Sequence, residues 1–458
     1  MKVLLVTHLY PPEHTAGTEQ YTAQLARGLT ARGHEVAVFT SEKDVSRPHL
    51  SSSRRTHEGV PVFEFVNNLE YAGFRETWEL PEAEAAFDAV LDEFAPDLVH
   101  VQHLLNLSVG LPEVAKRRGL PVAFTLHDYW LQCARFGQRV HADTSLCREI
   151  DESRCAECLG SLRYRNSALE QTAGRWLAKL RGISGVDLAA PARRVGDWLR
   201  SKEPAGEAPA LPLEEVEARG RALRERLPVS VDRFLSPSAF LREELVRWGL
   251  PAAKVQHLRT GTDLTHFAGG ERAPRGEVLR LGFLGSLIPV KGPHLLLEAY
   301  GALAGDERER ATLVLHGPEP TDLGYRDTLR ELAARTGATL GGPLDRAGVA
   351  DALRRLDLLI VPSLWFENQP LVILEALAAR TPLAVSDLGG MAELVEPGVS
   401  GFRFPLGDAA ALTELLRGLV RAPERLDALY GAPVALPSVD DQLDAVELVY
   451  RELSEARA

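Results

Sequence analysis

Two glutamates, Glu367 and Glu375, lie eight residues apart at the predicted start of a helix. Pro370 stands between them, and proline is favoured in the first turn of a helix because its missing N–H group costs nothing there. The backbone N–H groups that follow would point into the crevice at the end of the preceding strand, where they favour an anion. Glu375 has apolar neighbours, which indicates a functional carboxylate; the alternative is one solvated helical glutamate. The pattern predicts an anion-binding site with carboxylates beside it.

A histidine ends another predicted strand. His127 follows the apolar run 121–126 in the sequence TLHD. This is the end of a strand at which open α/β sheets bind their ligands. The residue is therefore a candidate ligand contact, and the alternative is a structural histidine that pairs with Asp128.

All four cysteines of the chain fall within residues 133–158: Cys133, Cys147, Cys155 and Cys158. Only the last two have the two-residue gap of a zinc knuckle. Nothing else in the sequence supports a catalytic redox pair, and disulfides are rare in the cytoplasm. Two interpretations stay open. One is a structural Zn²⁺ held by four thiolates, which would shape a loop with little apolar content; the other is reduced thiols in a packed loop.

The elements that must position these residues alternate as strand, loop and helix along most of the chain. Apolar runs predict strands at 2–7, 35–40, 98–102, 121–126, 233–236, 279–284, 311–315, 356–361, 382–385 and 401–404. Such alternation is typical of parallel sheets with helices on both faces. The predicted fold class is α/β, with two doubly wound Rossmann-like domains and a helical or loop segment inserted in the first.

The expected domain bounds follow from where the alternation of strands and helices stops and resumes. We expect the first domain at residues 1–232, with an insertion at about 133–228, and the second at 233–430. Residues 431–458 are expected to form a C-terminal helix that packs back near the first domain. Ser438 and Asp441 have the spacing of a capping box, and the apolar residues that follow share one helical face.

Composition and missing motifs exclude several classes of function. The net charge of −12 argues against nucleic-acid binding. No apolar run approaches the ~20 residues needed to cross a bilayer, so the expected location is the cytoplasm. The sequence lacks G-x-G-x-x-G, G-x-x-x-x-G-K-[ST] and an Asp-x-Asp triplet. Phosphate binding would then rely on helix N-termini, backbone amides and single basic side chains.

An ordered set of segments resembles the retaining, bacterial group 1 glycosyltransferases of family 4, whose GT-B fold has two Rossmann-like domains facing across a cleft. Glu367 and Glu375 in ENQPLVILE match the family's E-x7-E signature. Further similar segments are 11–21 (a P-x-x-G-G-x-E loop), 95–103 and 119–128 (strands of the first domain), 234–240 and 259–267 (the interdomain region), and 281–292 (LGFLGSLIPVKG, the entry to the donor domain). The resemblance covers most of the chain outside 140–228.

The resemblance implies that the nucleotide sugar binds the second domain and the acceptor the first. It implies donor contacts from Gly17, Thr18, Ser286, Lys291, Asn368, Gln369, Pro370, Leu371 and Glu375. Glu375 would accept hydrogen bonds from the ribose hydroxyls, and Glu367 and His127 would contact the transferred sugar. Lys291 would neutralise the diphosphate in place of a metal. Glu367, His127 and Lys291 are the expected catalytic residues.

Three of these positions carry alternatives or depart from the family pattern. Thr18 stands where a second glycine is common, and Gly17 would let the loop approach the diphosphate or serve only as a helix-entry glycine. Ser286 stands where the family usually has an arginine, which leaves one phosphate charge uncompensated unless Arg259 or Arg403 substitutes. Lys291 has a solvated surface lysine as its alternative.

The implied activity is transfer of a sugar from a nucleotide-diphosphate sugar to a hydroxyl of a sugar or lipid-linked acceptor. Retention of anomeric configuration, no catalytic metal, and a role in cell-surface polysaccharide, glycolipid or related glycoconjugate synthesis follow from the resemblance. A nucleotide-sugar 2-epimerase and a catalytically idle nucleotide-sugar-binding or scaffold subunit are the alternatives. The basic segment 161–202, with interleaved leucine and tryptophan, would suit peripheral contact with the inner face of a membrane; a helical excursion packed on the first domain is equally compatible.

Overall fold

The chain forms two α/β domains, each built on one central sheet. The computed structural model describes residues 1–45, 47–166, 171–172, 175–176, 210–430 and 434–456. Central strands such as Leu98–Val101 and Leu358–Val361 are buried along their whole length. Parallel strands covered by helices on both faces require such continuous apolar runs, and the predicted α/β class is confirmed.

The first domain contains an eight-stranded sheet in the order β3-β4-β2-β1-β5-β6-β7-β8. Its strands are β1 (Lys2–Thr7), β2 (Glu35–Glu42), β3 (Ser52–His57), β4 (Val60–Val66), β5 (Leu98–Val101), β6 (Val122–Thr125), β7 (Arg233–Ser236) and β8 (Val255–His257). Only β3 runs antiparallel, as an edge strand on β4. The sequence did not reveal this hairpin because β3 (SSRRTH) is polar and mostly exposed.

Helices cover both faces of the first sheet. They are α1 (Gly17–Ala31), α2 (Pro81–Phe94), α3 (Leu111–Arg117), α4 (Glu152–Gly160), α5 (Leu213–Glu225), α6 (Leu227–Ser230) and α7 (Ala239–Trp248). The predicted insertion contributes α4, α5 and α6, and Leu159, Leu223 and Leu227 complete the core of the domain. Most of the basic segment 161–202 lies outside the described residues. In the part that is described, no helix combines the length and the apolar character needed to cross a membrane.

The first sheet extends past residue 232, where the sequence placed the domain boundary. β7 pairs with β6, and β8 pairs with β7. Phe234 of β7 is buried. Its ring centroid lies 6.0 Å from that of Phe124 on β6. The expected boundary is therefore wrong, and the first domain extends at least to His257. A short apolar strand fits the edge of either sheet, so only the pairing decides to which one it belongs.

The second domain contains a six-stranded parallel sheet in the order β11-β10-β9-β12-β13-β14. Its strands are β9 (Leu279–Leu284), β10 (Ala311–His316), β11 (Thr339–Gly342), β12 (Leu358–Val361), β13 (Leu383–Ser386) and β14 (Gly401–Phe404). Its helices are α8 (Pro293–Gly301), α9 (Gly305–Arg308), α10 (Leu323–Thr336), α11 (Arg346–Arg355), α12 (Leu371–Ala378), α13 (Gly389–Leu394) and α14 (Ala409–Arg421). The two faces of the sheet carry separate apolar clusters.

The last helix, α15 (Val439–Glu455), packs on the first domain. Leu443, Val446 and Tyr450 are buried in the cluster that α1 and β1 form. The Tyr450 hydroxyl lies 2.7 Å from Nδ1 of His100, a buried residue of β5. Ser438 and Asp441 form the capping box that their spacing predicts.

Candidate active site

The carboxyl ends of β6 and β12 face each other across the two domains. Asn368, in the loop after β12, donates from Nδ2 to the carbonyl oxygens of Leu126 (3.2 Å) and His127 (3.0 Å) after β6. Its Oδ1 accepts a hydrogen bond of 2.5 Å from the Ser238 hydroxyl, after β7. Open α/β sheets bind ligands at these strand ends, so the candidate site lies between the domains.

Glu367 projects from this loop and is nearly buried. Its Oε1 accepts hydrogen bonds from Trp365 Nε1 (2.8 Å), from the Ser363 hydroxyl (3.1 Å) and from the Lys291 ammonium. Within the described residues its Oε2 has no hydrogen-bond partner, so one carboxylate oxygen is held and the other is available to a ligand. The structure thus brings together Glu367 and Lys291, two of the three expected catalytic residues.

A glycine fixes the position of Lys291. Lys291 ends a short 3₁₀ turn, Pro289–Lys291, and Gly292 follows with a φ of +69°. A Cβ atom at Gly292 would overlap the carbonyl oxygen of Pro362, just after β12. Only glycine tolerates both the left-handed conformation and this close approach. The turn is thereby pressed against the end of β12, from which Glu367 also projects.

Glu375 lies in the second turn of α12 and is half-buried. Burial raises the pKa of Glu375, against a smaller opposite effect of the Arg346 guanidinium. Within the described residues the carboxylate has no hydrogen bond and no ion pair. A half-buried, unpaired carboxylate is unlike the solvated glutamate of the alternative interpretation, and it can accept two hydroxyl donors at once.

The residues between the two glutamates differ in their contacts and in their place relative to α12. The Gln369 side chain exchanges two hydrogen bonds with the Thr260 backbone, of 3.0 Å and 2.9 Å. The side chains of Asn368 and Gln369 are therefore committed to contacts outside the loop. Pro370 is the N-cap of α12 without a side-chain cap bond, and Leu371, the first helical residue, is exposed.

His127 is paired differently from the alternative considered above. Its Nε2 lies 3.0 Å from Oε1 of Gln102, and its ring meets Tyr21 edge-on with centroids 4.6 Å apart. The Asp128 carboxylate instead contacts His103, with 3.2 Å between Oδ2 and Nε2, so the hydrogen-bond partner of His127 is Gln102 and not Asp128. Burial lowers the pKa of His127 to about 3. The imidazole is neutral, and one ring nitrogen stays available to a ligand hydroxyl.

Several polar residues beside His127 were not predicted from the sequence. His8, directly after β1, places Nε2 3.4 Å from Oε1 of Glu19 in the first turn of α1. The ring centroids of His8 and His103 are 4.4 Å apart. Burial, and then the neighbouring His103 and His127, hold the pKa of His8 well below its ordinary value. His8 and His103 each follow a predicted strand by one residue, and that position is the signal that could have identified them.

The remaining expected donor contacts lie at the start of α1 and in the loop after β9. α1 begins at Gly17 without a side-chain cap, and a Cβ atom at Gly17 would meet nothing within 4 Å. Thr18 accepts at its carbonyl oxygen a 2.7 Å hydrogen bond from the Thr22 hydroxyl. Ser286 follows β9 in the same loop as Lys291. Arg403 donates to the Val395 carbonyl at 2.7 Å and is thus engaged elsewhere.

The four cysteines line one cavity of about 40 Å³ beside α4 and α5. Where the structure describes the chain, no three histidine, cysteine or acidic side chains are placed to share a metal ion. The four-thiolate zinc site stays a prediction. Cys147 Sγ points to the Glu149 carbonyl oxygen, 3.2 Å away. Burial raises the pKa of Cys155 to about 12 and also raises the pKa values of Cys133 and Cys147, which favours neutral thiols over thiolates.

Two family descriptions match the two domains. Residues 271–431 match "Glycosyl transferases group 1", and residues 16–153 match "Glycosyl transferase 4-like domain". Together they span the β9–α14 unit and, in the first domain, α1 to β6 and the start of α4, including the loops that carry Lys291, Glu367 and His127.

Curated relatives include D-inositol 3-phosphate glycosyltransferases. The chain is 31% identical over 268 residues to D-inositol 3-phosphate glycosyltransferase 2 of Catenulispora acidiphila, which covers 55% of this chain and 60% of the relative. It is 32% identical over 197 residues to D-inositol 3-phosphate glycosyltransferase of Kribbella flavida, with coverages of 40% and 46%. The chain spans about half the length of the curated relatives it matches.

Solved structures with the same architecture cover the whole chain. Sucrose-phosphate synthase of Thermosynechococcus elongatus superposes with a TM-score of 0.64 at 18% identity, covering 99% of both chains. Anabaena HepE in complex with UDP-glucose superposes with a TM-score of 0.60 at 16% identity, covering 99% of this chain and 100% of HepE. At these identities the likeness shows the fold, and these folds are GT-B. With both of its domains matched, the chain belongs to the group 1 glycosyltransferases of family 4, as its motifs predicted.

Proposed function

We propose that this protein transfers a sugar from a nucleotide-diphosphate sugar to an acceptor hydroxyl with retention of anomeric configuration. The observation that carries the proposal is the loop after β12. It holds Glu367 beside Lys291 and, through Asn368, bonds directly to the backbone of His127 in the other domain. One loop thus joins the residues expected to act on the leaving group to the residue expected to face the transferred sugar.

On the donor side, Lys291 is the cation nearest to Glu367 and has a side chain that is a quarter exposed. A diphosphate that enters the crevice would draw the ammonium from Glu367, because it carries more charge than one carboxylate. Glu367 would keep its bonds to Ser363 and Trp365 and turn its free oxygen to the sugar hydroxyls. Glu375, unpaired on α12, would accept the ribose hydroxyls.

In the transfer step the bond between the anomeric carbon and the diphosphate oxygen breaks, and the acceptor oxygen bonds to that carbon on the same face. A leaving phosphate oxygen takes the acceptor's proton, so the chain need not supply a strong base. Lys291 and the uncapped amides of α12 stabilise the charge that develops on the diphosphate. Charge stabilisation of this kind supports catalysis without a metal ion. His127, being neutral, would hold a sugar hydroxyl rather than add charge.

The acceptor would enter along the first domain, where His8, Glu19 and His103 adjoin His127. A sugar or lipid-linked acceptor in cell-surface polysaccharide, glycolipid or related glycoconjugate synthesis is the setting we propose. Inositol 3-phosphate, the acceptor in the names of the curated relatives, and UDP-glucose, the ligand of HepE, are the first substrates to test.

The test is a donor and acceptor screen with the purified chain. UDP-, GDP-, ADP- and dTDP-sugars are incubated with and without acceptors, and release of the nucleoside diphosphate is followed by mass spectrometry. The anomeric coupling constant of the product, from NMR, reports retention or inversion. A parallel series with EDTA checks that a divalent metal is not required.

Each alternative has its own outcome in that screen. Binding of a nucleotide sugar without turnover would favour the idle subunit, and an epimerised free donor sugar would favour the 2-epimerase. An inverted product would overturn the proposed mechanism while leaving glycosyl transfer in place. A transfer product that Glu367→Ala also forms at the wild-type rate would overturn the role of this loop.

A further inference from the structure

The segment 133–147, which starts and ends at a cysteine, contains a fully buried arginine. Arg139 is 1% exposed and has a φ of +52°. A bulky residue in this left-handed region persists only where its surroundings hold it there, and such positions are concentrated at functional sites. We call residues 133–147 the cysteine segment.

Hydrogen bonds lock the Arg139 guanidinium in one orientation. It donates to the carbonyl oxygens of Cys147 (3.0 Å) and Arg148 (2.7 Å). It also donates to Oε1 of Gln132 (2.6 Å) and to Oε2 of Glu244 on α7 (3.1 Å). All three of its nitrogen atoms are engaged, so the plane of the group is fixed relative to the first domain.

The guanidinium also lies over an aromatic ring of the second domain. The Arg139 Cζ atom lies 5.1 Å from the ring centroid of Phe366. Tyr129 and Phe240 of the first domain also contact this ring, with centroids 5.7 Å and 5.4 Å away. Phe366 packs against the apolar clusters of both domains, and it directly precedes Glu367.

We propose that the cysteine segment braces the loop that carries Glu367, with Arg139 as a positioning residue. Arg139 does not contact Glu367. It holds the Phe366 ring against the first domain by a cation–π contact, and this fixes the backbone from which the Glu367 carboxylate projects. The inference rests on the proposed function only in its effect on turnover, because the ordering of the loop can be measured without a substrate.

A purely structural role would predict a different result. If Arg139 only stabilised the cysteine segment, its loss would lower the melting temperature and leave the rate of the folded protein unchanged. If it positions Glu367, the folded variant keeps its donor affinity but loses kcat, because displacement of a reacting group by about 1 Å costs up to about 10²-fold in rate.

The test compares Arg139→Met with the wild type and with a matched control, Arg148→Met. Arg148 lies next to the cysteine segment and is exposed. For Arg139→Met we expect kcat about tenfold to a hundredfold lower with a similar donor KM. We also expect faster hydrogen–deuterium exchange in peptides spanning residues 362–376. Arg148→Met should match the wild type in both measurements.

A double-mutant cycle identifies the contact itself. If Arg139→Met and Phe366→Leu act through one contact, the kcat of the double variant should be about that of the less active single variant. Independent effects would instead multiply, and kcat would fall further. Should Arg139→Met fail to fold, Arg139→Gln gives the same comparison, since glutamine keeps a planar hydrogen-bond donor but removes the cation from the Phe366 ring.

Three results would overturn the inference: wild-type kcat and exchange in the folded Arg139 variant, a loss of kcat with unchanged exchange in 362–376, or multiplicative effects in the cycle. If the wild-type chain transfers no sugar, the proposed function fails instead. The exchange measurement then still decides whether Arg139 orders the loop.

Discussion

Replacement of Glu367 by glutamine tests the central contact of the candidate site with little change in shape. In the present arrangement Oε1 accepts three hydrogen bonds, one of them from the Lys291 ammonium. Glutamine keeps one oxygen that can accept, but it removes the charge beside Lys291 and puts an amide where the free oxygen was. Glu367→Gln therefore separates the charge of this residue from its size.

The expected loss of stability is modest and the expected loss of rate is large. A hydrogen bond to a charged group contributes about 1.5–3 kcal/mol. Because the side chains of Lys291 and Glu367 are 26% and 11% exposed, solvent screens the pair, and we expect about 1–2 kcal/mol of unfolding free energy to be lost. Loss of one preorganised electrostatic contact costs about 10²–10³ in kcat.

The assay measures release of the nucleoside diphosphate at saturating donor, together with the midpoint of thermal unfolding. Glu331→Gln, an exposed glutamate on α10 of the same domain, is the matched control and should leave both values unchanged. A folded Glu367→Gln variant with wild-type kcat would refute the reasoning. So would an equal loss of rate in the control.

Gly292→Ala is expected to lose about 1–3 kcal/mol of unfolding free energy, because alanine would be strained at a φ of +69° and would overlap Pro362. Gly17→Ala, which has open space around it, should melt like the wild type and weaken only donor binding; equal melting of the two variants would contradict this. His127 has a folded pKa of about 3 against about 6.5 when unfolded. The stability it contributes is therefore complete above about pH 6.5 and is lost as the pH falls towards 3. His127→Asn should flatten the decline of the melting midpoint over that range, and an unchanged decline would show that His127 is not the group responsible. Elemental analysis should find less than one zinc per chain; a stoichiometric zinc that is lost on Cys155→Ser would show that the cysteine cavity closes around a metal.

Local patterns predicted most of the regular structure. The apolar runs that became β1, β5, β9 and β12 were identifiable because a strand covered on both faces must be apolar along its length. The start of α12 at Leu371 was identifiable from Pro370, and α15 from its capping box. The edge strand β3 lacks such a signal, because most of its side chains are exposed and its residues can therefore be polar.

Pairings between distant segments could not be predicted in the same way. The strand β7 reads as an apolar run that either domain could accept, and its hydrogen bonds to β6 place it in the first. Asp128 is adjacent to His127 in the sequence, yet it contacts His103 because the two side chains leave the strand end in different directions. The four cysteines, spread over 26 residues of the chain, converge on one cavity, and Cys147 Sγ contacts the Glu149 carbonyl there.

The sequence by itself determined the two-sheet class, the family and the loops that carry Glu367, Lys291 and His127. These depend on short-range spacing, which the chain preserves in any arrangement of its domains. Only the tertiary structure decided that Lys291 holds Glu367, that Asn368 joins this loop to His127, and that Arg139 covers Phe366. Each of these contacts joins residues that are far apart in the chain. The first depends on how strands are ordered within the second sheet, and the other two depend on how the two domains face each other, so no local pattern reveals them.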